Sequence, residues 1–391
     1  MNNKTLIAAG VIVIILLLAV WVYLMFFGTP KNPNDVFTDL GFGGGTDSGV
    51  VTIPPTPEEP EVPRVNVDRP RLRQLTTKPV IGFVEVQATT TDPILVLYTE
   101  AGTGHVYEIN LTTGEENRIS NTTVAEAAEA AFSPDGSTVA IRAFNHRRAG
   151  DLFINSLAMG ETTTIPNAEF SFTLFSSTTL GYTTRTEEGM RAVRYSIPSK
   201  VSTPLFTVPF FETNLTWGNS PEATHAVFPK PSYALEGYLY TFTRGQMARL
   251  PAAGFGLTAM NTENYLVYTK TSDYTPGSYS YHKTTREISP LPIVLIPEKC
   301  APDRREVAII WCAHQTTPLP YDYPDTWYQG SLQFKDSLWK IDLTFSSAEL
   351  LVDTFTETNR YIDVDRMHSG PSGSALYFTN KIDNTLWMYE L

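Results

Sequence analysis

The chain has 391 residues, and its 41 acidic and 29 basic side chains give a formal charge of −12 at pH 7. A hydrophobic content of 42% excludes a chain that is disordered throughout. The acidic balance argues against nucleic-acid binding, which relies on Lys and Arg to neutralise phosphates. Charged residues are only 18%, aromatic residues are 12%, and the chain holds 25 Gly and 28 Pro, a composition typical of strands and turns.

The most apolar segment lies at the N-terminus. From Leu6 to Phe27 the chain has 22 consecutive residues without a charge, and a helix of that length measures about 33 Å, enough for a hydrocarbon core of roughly 30 Å. A cleaved signal peptide is the alternative, but its apolar core is normally shorter and precedes a small-residue cleavage site. Aromatic residues crowd the far end of this segment instead, as in an interfacial belt. We therefore expect residues 1–27 to form a transmembrane signal anchor, and we predict no second span.

Positive charges on the two sides of this segment are nearly balanced, with Lys4 before it and Lys31 after it. The leading segment is short, and the sequence that follows is acidic. These features favour a single-pass protein of the cell membrane with a cytoplasmic N-terminus. We expect the rest of the chain to lie outside the cytoplasm.

A Pro- and Gly-rich segment follows the predicted anchor. Residues 28–70 hold eight Pro and six Gly, with seven acidic and three basic residues. Such a composition cannot pack a core and is typical of a disordered spacer. We expect residues 28–68 to be an acidic linker that keeps the following domain away from the bilayer.

A repeat of large apolar residues runs through the remainder of the chain. The spacing between its members is 40 to 60 residues, with a mean of about 47, close to the length of a four-stranded propeller blade. Each member is predicted to lie on the third strand of its unit. The pattern predicts that residues 69–391 are an all-β domain, a seven-bladed β-propeller of four-stranded antiparallel blades. The members are Tyr107, Phe153, Val193, Tyr238, Tyr279, Trp339 and Trp387.

The last repeat ends at its third strand, because Thr385–Leu391 leaves no residues for a fourth. A strand near residues 69–76 precedes the first repeat and has the character of an outer strand. We expect this strand to complete the last blade, which would close the ring and remove its exposed edges.

One stretch resembles a known family. Residues 131–141, Ala-Phe-Ser-Pro-Asp-Gly-Ser-Thr-Val-Ala-Ile, resemble the blade motif of TolB-type and WD-like propellers. The whole layout, with Cys300, Cys312 and the segment 323–330, also resembles membrane-anchored propeller proteins of candidate-phylum bacteria, and that resemblance implies no known chemistry. TolB-type proteins are soluble and work through partners. This chain differs from them in its predicted anchor and in a large insertion in its sixth repeat.

The sequence contains none of the compact motifs that assign a reaction. No nucleophile elbow and no Walker loop occur. The six His residues never pair at zinc-ligand spacing, and two Cys cannot make a structural zinc site alone. We therefore assign no catalytic residue, no metal ligand and no cofactor.

Cys300 and Cys312 flank the first hairpin of the sixth repeat. A disulfide between them would close a short loop and stabilise the fold by about 3 kcal/mol. Aligning Pro302 with Pro134, however, places the two Cys off directly paired positions, where a bridge cannot form beyond about 7 Å between Cα atoms. A disulfide and a pair of buried thiols both remain open at this point.

The sixth repeat carries about a dozen extra residues between its second and third strands, within 314–330. Loops at this position lie on the propeller face that commonly carries ligands. Aromatic rings beside carboxylates are typical of a recognition surface for a protein or a carbohydrate. The alternative is an aromatic plug that folds down over the blade. The candidate binding residues are Tyr321, Asp322, Tyr323, Asp325, Trp327 and Tyr328.

A second candidate site is the innermost strand of the seventh repeat. Period-two geometry would send Asp363 and Asp365 to the same side. We expect them to be solvated carboxylates that line the central channel, with a bound cation as the alternative.

These observations favour a non-catalytic, extracytoplasmic scaffold that binds an envelope protein or a glycan. The alternative is a propeller-type lyase or glycosidase that uses carboxylates of the rim or the channel.

Overall fold

The computed structural model describes residues 69–391, except residues 88, 146–147 and 167. The predicted anchor (Leu6–Phe27) and linker (28–68) lie outside the described residues. No helix within the described part of the chain is long and apolar enough to cross a membrane. The described residues form 27 strands in six antiparallel sheets, with two short α-helices and one 3-10 helix. The predicted all-β class is confirmed.

Three four-stranded sheets come first, each built from consecutive strands. The first sheet contains β2 (Val80–Val86), β3 (Leu95–Glu100), β4 (Val106–Asn110) and β5 (Glu116–Arg118). The second contains β6 (Ala127–Phe132), β7 (Thr138–Asn145), β8 (Arg148–Ser156) and β9 (Thr162–Ile165). The third contains β10 (Glu169–Ser176), β11 (Thr179–Thr186), β12 (Gly189–Ser196) and β13 (Val201–Val208).

The fourth sheet has seven strands because one long strand serves two neighbours. Its first part, from Gln246 to Phe255, pairs with β16, and its second part, from Phe255 to Asn261, pairs with β18. The strands are β14 (Thr213–Thr216), β15 (His225–Pro229), β16 (Glu236–Thr243), β17 (Gln246–Asn261), β18 (Tyr265–Ser272), β19 (Thr275–His282) and β20 (Ile288–Pro290).

The last two sheets follow the 3-10 helix Pro297–Lys299. The fifth sheet contains β21 (Cys300–Pro302), β22 (Ile309–Gln315), β23 (Asp336–Asp342) and β24 (Ser347–Asp353). The sixth contains β25 (Val364–Ser369), β26 (Ala375–Asn380), β27 (Leu386–Glu390) and β1 (Leu72–Gln74). Strand β1 is antiparallel to β27, with Leu72 opposite Tyr389, so the first described strand forms the outer edge of the last sheet.

The core lies between the sheets rather than in one central mass. The middle strands are buried on both faces, as in β26, where all six residues are buried. Seven apolar clusters each join two neighbouring sets of strands. One of them joins the two parts of the seven-stranded sheet, and another joins the last sheet to the first, for example through Tyr377 and Phe83. The sheets therefore pack face to face in a closed order.

A local example shows how the sequence forms these units. Asp135 accepts hydrogen bonds from the Ser133 hydroxyl at 2.5 Å and from the Ser137 amide at 3.2 Å, which fixes the turn between β6 and β7. Gly136 has a φ of +70°, and a Cβ there would lie 2.5 Å from Val86 Cγ1. Glycine is therefore required by both the backbone and the space available.

Candidate functional site

The most irregular feature of the domain is the insertion loop, residues 316–335, which connects β22 and β23. It contains the helix α1 (Asp325–Tyr328). Because the strands are antiparallel, every link between second and third strands of a sheet lies at the same edge of the domain. We call this edge the insertion face; it also carries the loop 230–235 and the two-residue turn 273–274.

The insertion loop connects parts of the domain that are distant in sequence. The Tyr233 amide donates a hydrogen bond to Asp325 Oδ2 at 2.7 Å. Pro324 packs against Gly256 so closely that a Cβ on the glycine would lie 3.0 Å from the proline ring. At the other end, the Trp327 indole donates to both carboxylate oxygens of Asp363, each at 3.2 Å. The loop therefore spans from the seven-stranded sheet to the last sheet.

The insertion loop packs against a fully buried ionic cluster. The Lys299 ammonium lies 2.6 Å from Asp336 Oδ2 and 2.5 Å from Asp363 Oδ1, and all three side chains are 0% exposed. The Phe334 amide donates to Asp363 Oδ2 at 3.1 Å. We call Lys299, Asp336 and Asp363 the Lys299 cluster. The ammonium also lies 5.3 Å from the ring of Trp327 and 4.8 Å from that of Phe334, so the cluster and the loop pack as one unit.

The Lys299 cluster carries two carboxylates for one ammonium. Burial raises the pKa of Asp336, and the neighbouring Asp363 acts in the same direction, while Lys299 opposes both. Asp336 Oδ2 also accepts the Val364 amide at 2.7 Å, but Asp336 Oδ1 has no hydrogen-bond partner among the described residues. The Lys299 ammonium contacts both carboxylates and offsets part of the cost of burying them.

The structure corrects the expectation that Asp363 lines a channel. β25 begins at Val364, so Asp363 lies before the strand, in a loop where period-two alternation does not apply. Asp363 is buried in the Lys299 cluster instead. Asp365 lies on β25 and is only partly buried, with its Oδ2 3.5 Å from Arg366 Nε. The register of β25 shifts only after Asp365, where Arg366 has a φ of 51°.

The insertion loop has a buried part and an exposed part. Trp327 is 1% exposed and Tyr323 is 5% exposed, and both pack with Ile296 and Phe334, as a plug would. The Tyr328 hydroxyl donates to the Glu298 carboxylate. Burial raises the pKa of Tyr323, Tyr328 and Glu298. Tyr321, in contrast, is 85% exposed and Tyr328 is 36% exposed, so these two rings are accessible, whereas Trp327 and Tyr323 are not.

Two carboxylates of the loop also hold it in place. Asp325 accepts the Tyr233 amide, as described above. Asp322 Oδ1 accepts the Thr326 hydroxyl at 3.4 Å. Both of these predicted binding residues therefore have partners within the protein.

A cleft of about 500 Å³ opens between the insertion loop and the links of the seven-stranded sheet. We call it the aromatic cleft. Five rings line it, together with apolar residues such as Leu319 and one charged residue, Asp273. The rings are Tyr233, Phe255, Tyr274, Tyr321 and Tyr323. The Tyr233 and Tyr321 rings meet edge to face, with centroids 5.8 Å apart and planes at 85°. The volume and the lining of the aromatic cleft suit a ligand of moderate size.

Only one wall of this cleft, made by Tyr321 and Tyr323, was predicted from the sequence. The opposite wall comes from the loop 230–235, from β17 and from the turn 273–274. These segments are about 45 to 90 residues away in sequence, and no motif connects them to the insertion loop. Asp273 and Tyr274 form a two-residue turn in which both residues have positive φ.

A second cavity, of about 270 Å³, lies among the innermost strands. Its lining comes from four different sheets and includes Ile81, Ala130, Ser171 and Arg366. The Arg366 guanidinium donates to the Ile81 carbonyl at 2.7 Å, which joins β25 to β2. Innermost strands that converge on one cavity are the arrangement that surrounds the axis of a propeller.

Cys300 and Cys312 are joined by a disulfide, with Cα atoms 4.1 Å apart. They are directly opposite each other in the β21–β22 pair, which corrects the predicted register. Pro302, opposite Ile310, corresponds to Phe132, opposite Val139, and not to Pro134. The alignment on proline shifted the strand by two residues, because the turn in this sheet differs from Ser133–Gly136.

The described residues contain no group of three His, Cys, Asp or Glu side chains that could hold a metal ion. His225, one of the buried histidines, receives a hydrogen bond from the Gly218 amide at 3.1 Å, and its other ring nitrogen lies 3.1 Å from the Pro221 carbonyl. The His225 side chain therefore stabilises the loop that contains Gly218 and Pro221.

Comparison with known proteins identifies the fold. No protein-family model matches the chain, and no curated protein matches it. The β-propeller domain of Cps50 (Swd1) from Myceliophteria thermophila is similar, with a TM-score of 0.53, 11% identity, and coverage of 82% of this chain and 99% of that one. An oligogalacturonate lyase in complex with manganese is also similar, with a TM-score of 0.52, 13% identity, and coverage of 80% and 96%.

TolB from Acinetobacter baumannii also matches, with a TM-score of 0.43, 9% identity, and coverage of 68% of this chain and 62% of that one. At these identities the similarities show the fold alone. Together with the sheets described above, the similarities to the Cps50 propeller domain and to the lyase show that the described residues form a β-propeller.

Proposed function

We propose that this protein is a non-catalytic binding scaffold, a membrane-anchored extracytoplasmic β-propeller that presents its insertion face to an envelope protein or a glycan. The observation that carries the proposal is the aromatic cleft. Exposed rings around a cleft supply large, rigid contact area, and binding hot spots are enriched in such residues. Tyr321 and Tyr274 are 85% and 99% exposed. Exposing such apolar ring surface to water is unfavourable unless a partner covers it.

The proposal includes a ring of seven blades. The seven-stranded sheet counts as two blades that share β17, since its two parts pack face to face through Leu239, Leu250, Leu266 and Tyr268. The five other sheets supply one blade each. Seven interfaces between blades then correspond to the seven apolar clusters.

The membrane location rests on the sequence. The apolar segment Leu6–Phe27 is long enough to span a bilayer, and the Pro- and Gly-rich residues 28–68 would serve as a spacer. A disulfide in the propeller is compatible with an oxidising compartment. Membrane fractionation, followed by protease digestion of intact cells, tests this part: we expect the propeller to be membrane-bound and accessible from outside.

The enzyme alternative would need carboxylates that are free to act. Asp363 is bound within the Lys299 cluster, and Asp325 accepts a backbone amide. The manganese and the substrate named for the similar lyase belong to that protein. These contacts favour binding over catalysis.

The test is capture of partners from native membranes by the full-length protein. Tyr321→Ala removes an exposed ring of the cleft, while Phe345→Ala removes a ring that is 80% exposed in the turn between β23 and β24, at the opposite edge. We expect Tyr321→Ala to abolish capture of a specific partner or glycan and Phe345→Ala to leave it unchanged. Equal capture by both variants, or turnover of a polysaccharide by the wild-type protein, would contradict the proposal.

A further inference from the structure

We propose that the aromatic cleft binds a cationic peptide segment, in which a Lys or Arg side chain enters among the rings beside Asp273. This inference rests on the proposed function and specifies the partner as a protein. Its basis is the charge of the cleft, the placement of the rings and the backbone of the turn that carries Asp273 and Tyr274.

The charge that lines the cleft is negative. Asp273 is the one charged residue among the described residues that line it, and none of them is basic. Lys270, on the strand that leads to the turn, directs its ammonium to the Ala253 carbonyl at 2.9 Å. The formal charge of the whole chain is −12. An acidic ligand would therefore meet no counter-charge in the cleft, whereas a cation is attracted both locally and at long range.

The rings are placed to accept a cation. Tyr233 and Tyr321 both line the cleft and meet edge to face. Tyr274 extends from the turn and is 99% exposed. An ammonium or guanidinium group near such faces gains a cation–π attraction, and a neighbouring carboxylate adds to it. The protein itself uses this contact at Arg249, which lies 4.0 Å from the ring of Tyr238.

The turn that carries Asp273 and Tyr274 adds an independent argument. Both residues have positive φ, 49° and 62°, between strands β18 and β19. This is the two-residue hairpin geometry that favours Asn-Gly or Asp-Gly, because a Cβ at the second position is unfavourable. A tyrosine is an uncommon residue there, and its ring makes no buried contact that would compensate. Backbone conformations of this kind collect at ligand-binding positions.

A neutral glycan fits the lining less well. Sugar hydroxyls need many hydrogen-bond donors and acceptors, and the described lining offers Asp273, Thr271 and tyrosine hydroxyls but no Asn, Gln, Arg, Lys or His. Proline and leucine side chains, Pro276, Leu319 and Pro320, make up much of the rest. An apolar peptide segment with one basic side chain matches this combination.

The test measures binding of defined peptides to the full-length protein in nanodiscs by fluorescence anisotropy. The probe is a labelled pentapeptide, Ala-Leu-Lys-Leu-Ala with blocked ends. The comparison peptides replace Lys with norleucine or with Glu. We expect the Lys peptide to bind about 5- to 30-fold more tightly than the norleucine peptide, the range that a cation–π contact gives. The Glu peptide should bind more weakly than either.

Two variants locate the effect. Asp273→Asn should weaken binding of the Lys peptide by at least 5-fold and leave binding of the norleucine peptide unchanged. Tyr274→Gly should also weaken binding of the Lys peptide. The thermal midpoint of this variant should equal that of the wild type or rise, because glycine suits the positive φ. A stable variant with lost binding cannot be explained by unfolding. Phe345→Ala is the matched control and should bind as the wild type does.

Equal binding of the Lys and norleucine peptides, or tighter binding of a neutral oligosaccharide such as cellohexaose, would overturn the inference. So would wild-type binding by Asp273→Asn. If the peptides do not bind but membrane capture still depends on Tyr321, the inference fails and the proposed function stands. If capture is also independent of Tyr321, both fail.

Discussion

Replacing Lys299 by methionine should strongly destabilise the propeller. Methionine fills much of the same space among the rings of Trp327 and Phe334 but leaves Asp336 and Asp363 without their common cation. Two hydrogen bonds to charged groups are lost, each worth about 1.5 to 3 kcal/mol. Breaking a buried ion pair by removing one partner costs roughly 3 to 5 kcal/mol, and we expect about 4 kcal/mol here.

The assay is thermal unfolding at pH 7. For a domain of this length the entropy of unfolding is on the order of 0.7 kcal/mol per degree, so a loss of about 4 kcal/mol should lower the midpoint by about 6 °C. Lys230→Met is the matched control, because Lys230 is exposed and the change in charge is the same. The control should change stability by less than about 0.5 kcal/mol.

The penalty should also depend on pH. Burial already raises the pKa of Asp336 in the wild type, and the loss of Lys299 removes the group that opposes this shift. A carboxyl group whose pKa is raised in the folded state stabilises the fold while it is protonated. This stabilisation is full below the pKa of the unfolded state, about 3.9, and is lost as pH rises through the pKa of the folded state. The variant should therefore approach the wild type near pH 4 and fall furthest behind at pH 7. A penalty below about 1 kcal/mol, or one that is constant over this range, would refute the role of the cluster.

Three other predictions follow from the packing. Replacing Cys300 and Cys312 by Ala should lower the free energy of unfolding by about 3 kcal/mol, the value for closing a loop of 12 residues. In denaturant unfolding, reductant should lower the stability of the wild type by the same amount and leave that of the double variant unchanged. Leu72→Ala should cost about 3 kcal/mol, because Leu72 is 5% exposed in the closing strand, whereas Leu235→Ala, at a residue 66% exposed, should be nearly neutral in the same experiment. Trp327→Ala should release the insertion loop, so limited proteolysis should cut within 316–335 in the variant but not in the wild type.

The sequence predicted the fold well because a propeller repeats its pattern. Tyr107, Phe153 and the other repeated residues lie on the third strands of successive units, where both faces of a sheet must be covered, so the same residue type recurs at nearly the same interval. The shared strand β17 did not disturb this spacing. The β-propeller fold follows from these regularities and is confirmed by the structural similarities.

The site was harder to predict because it depends on contacts without a repeat. Asp363 was expected on a strand, but Lys299, 64 residues earlier in the chain, draws it into a buried cluster that no spacing indicates. Tyr274 and Tyr321 line the same cleft because neighbouring sheets pack together, and no spacing in the sequence indicates this. The register of Cys300 depended on the exact length of one turn, a quantity that sequence alone gives to within a residue or two at best.

We expect the insertion face, and not the opposite edge, to bind the partner. Site-specific photo-crosslinking in intact membranes tests it most directly, with p-benzoylphenylalanine in place of Tyr321 or, separately, of Phe345, two residues of similar exposure at opposite edges. We predict a discrete cross-linked adduct at Tyr321, lost on adding Tyr274→Gly, and none at Phe345. An adduct at Phe345 alone would contradict the claim.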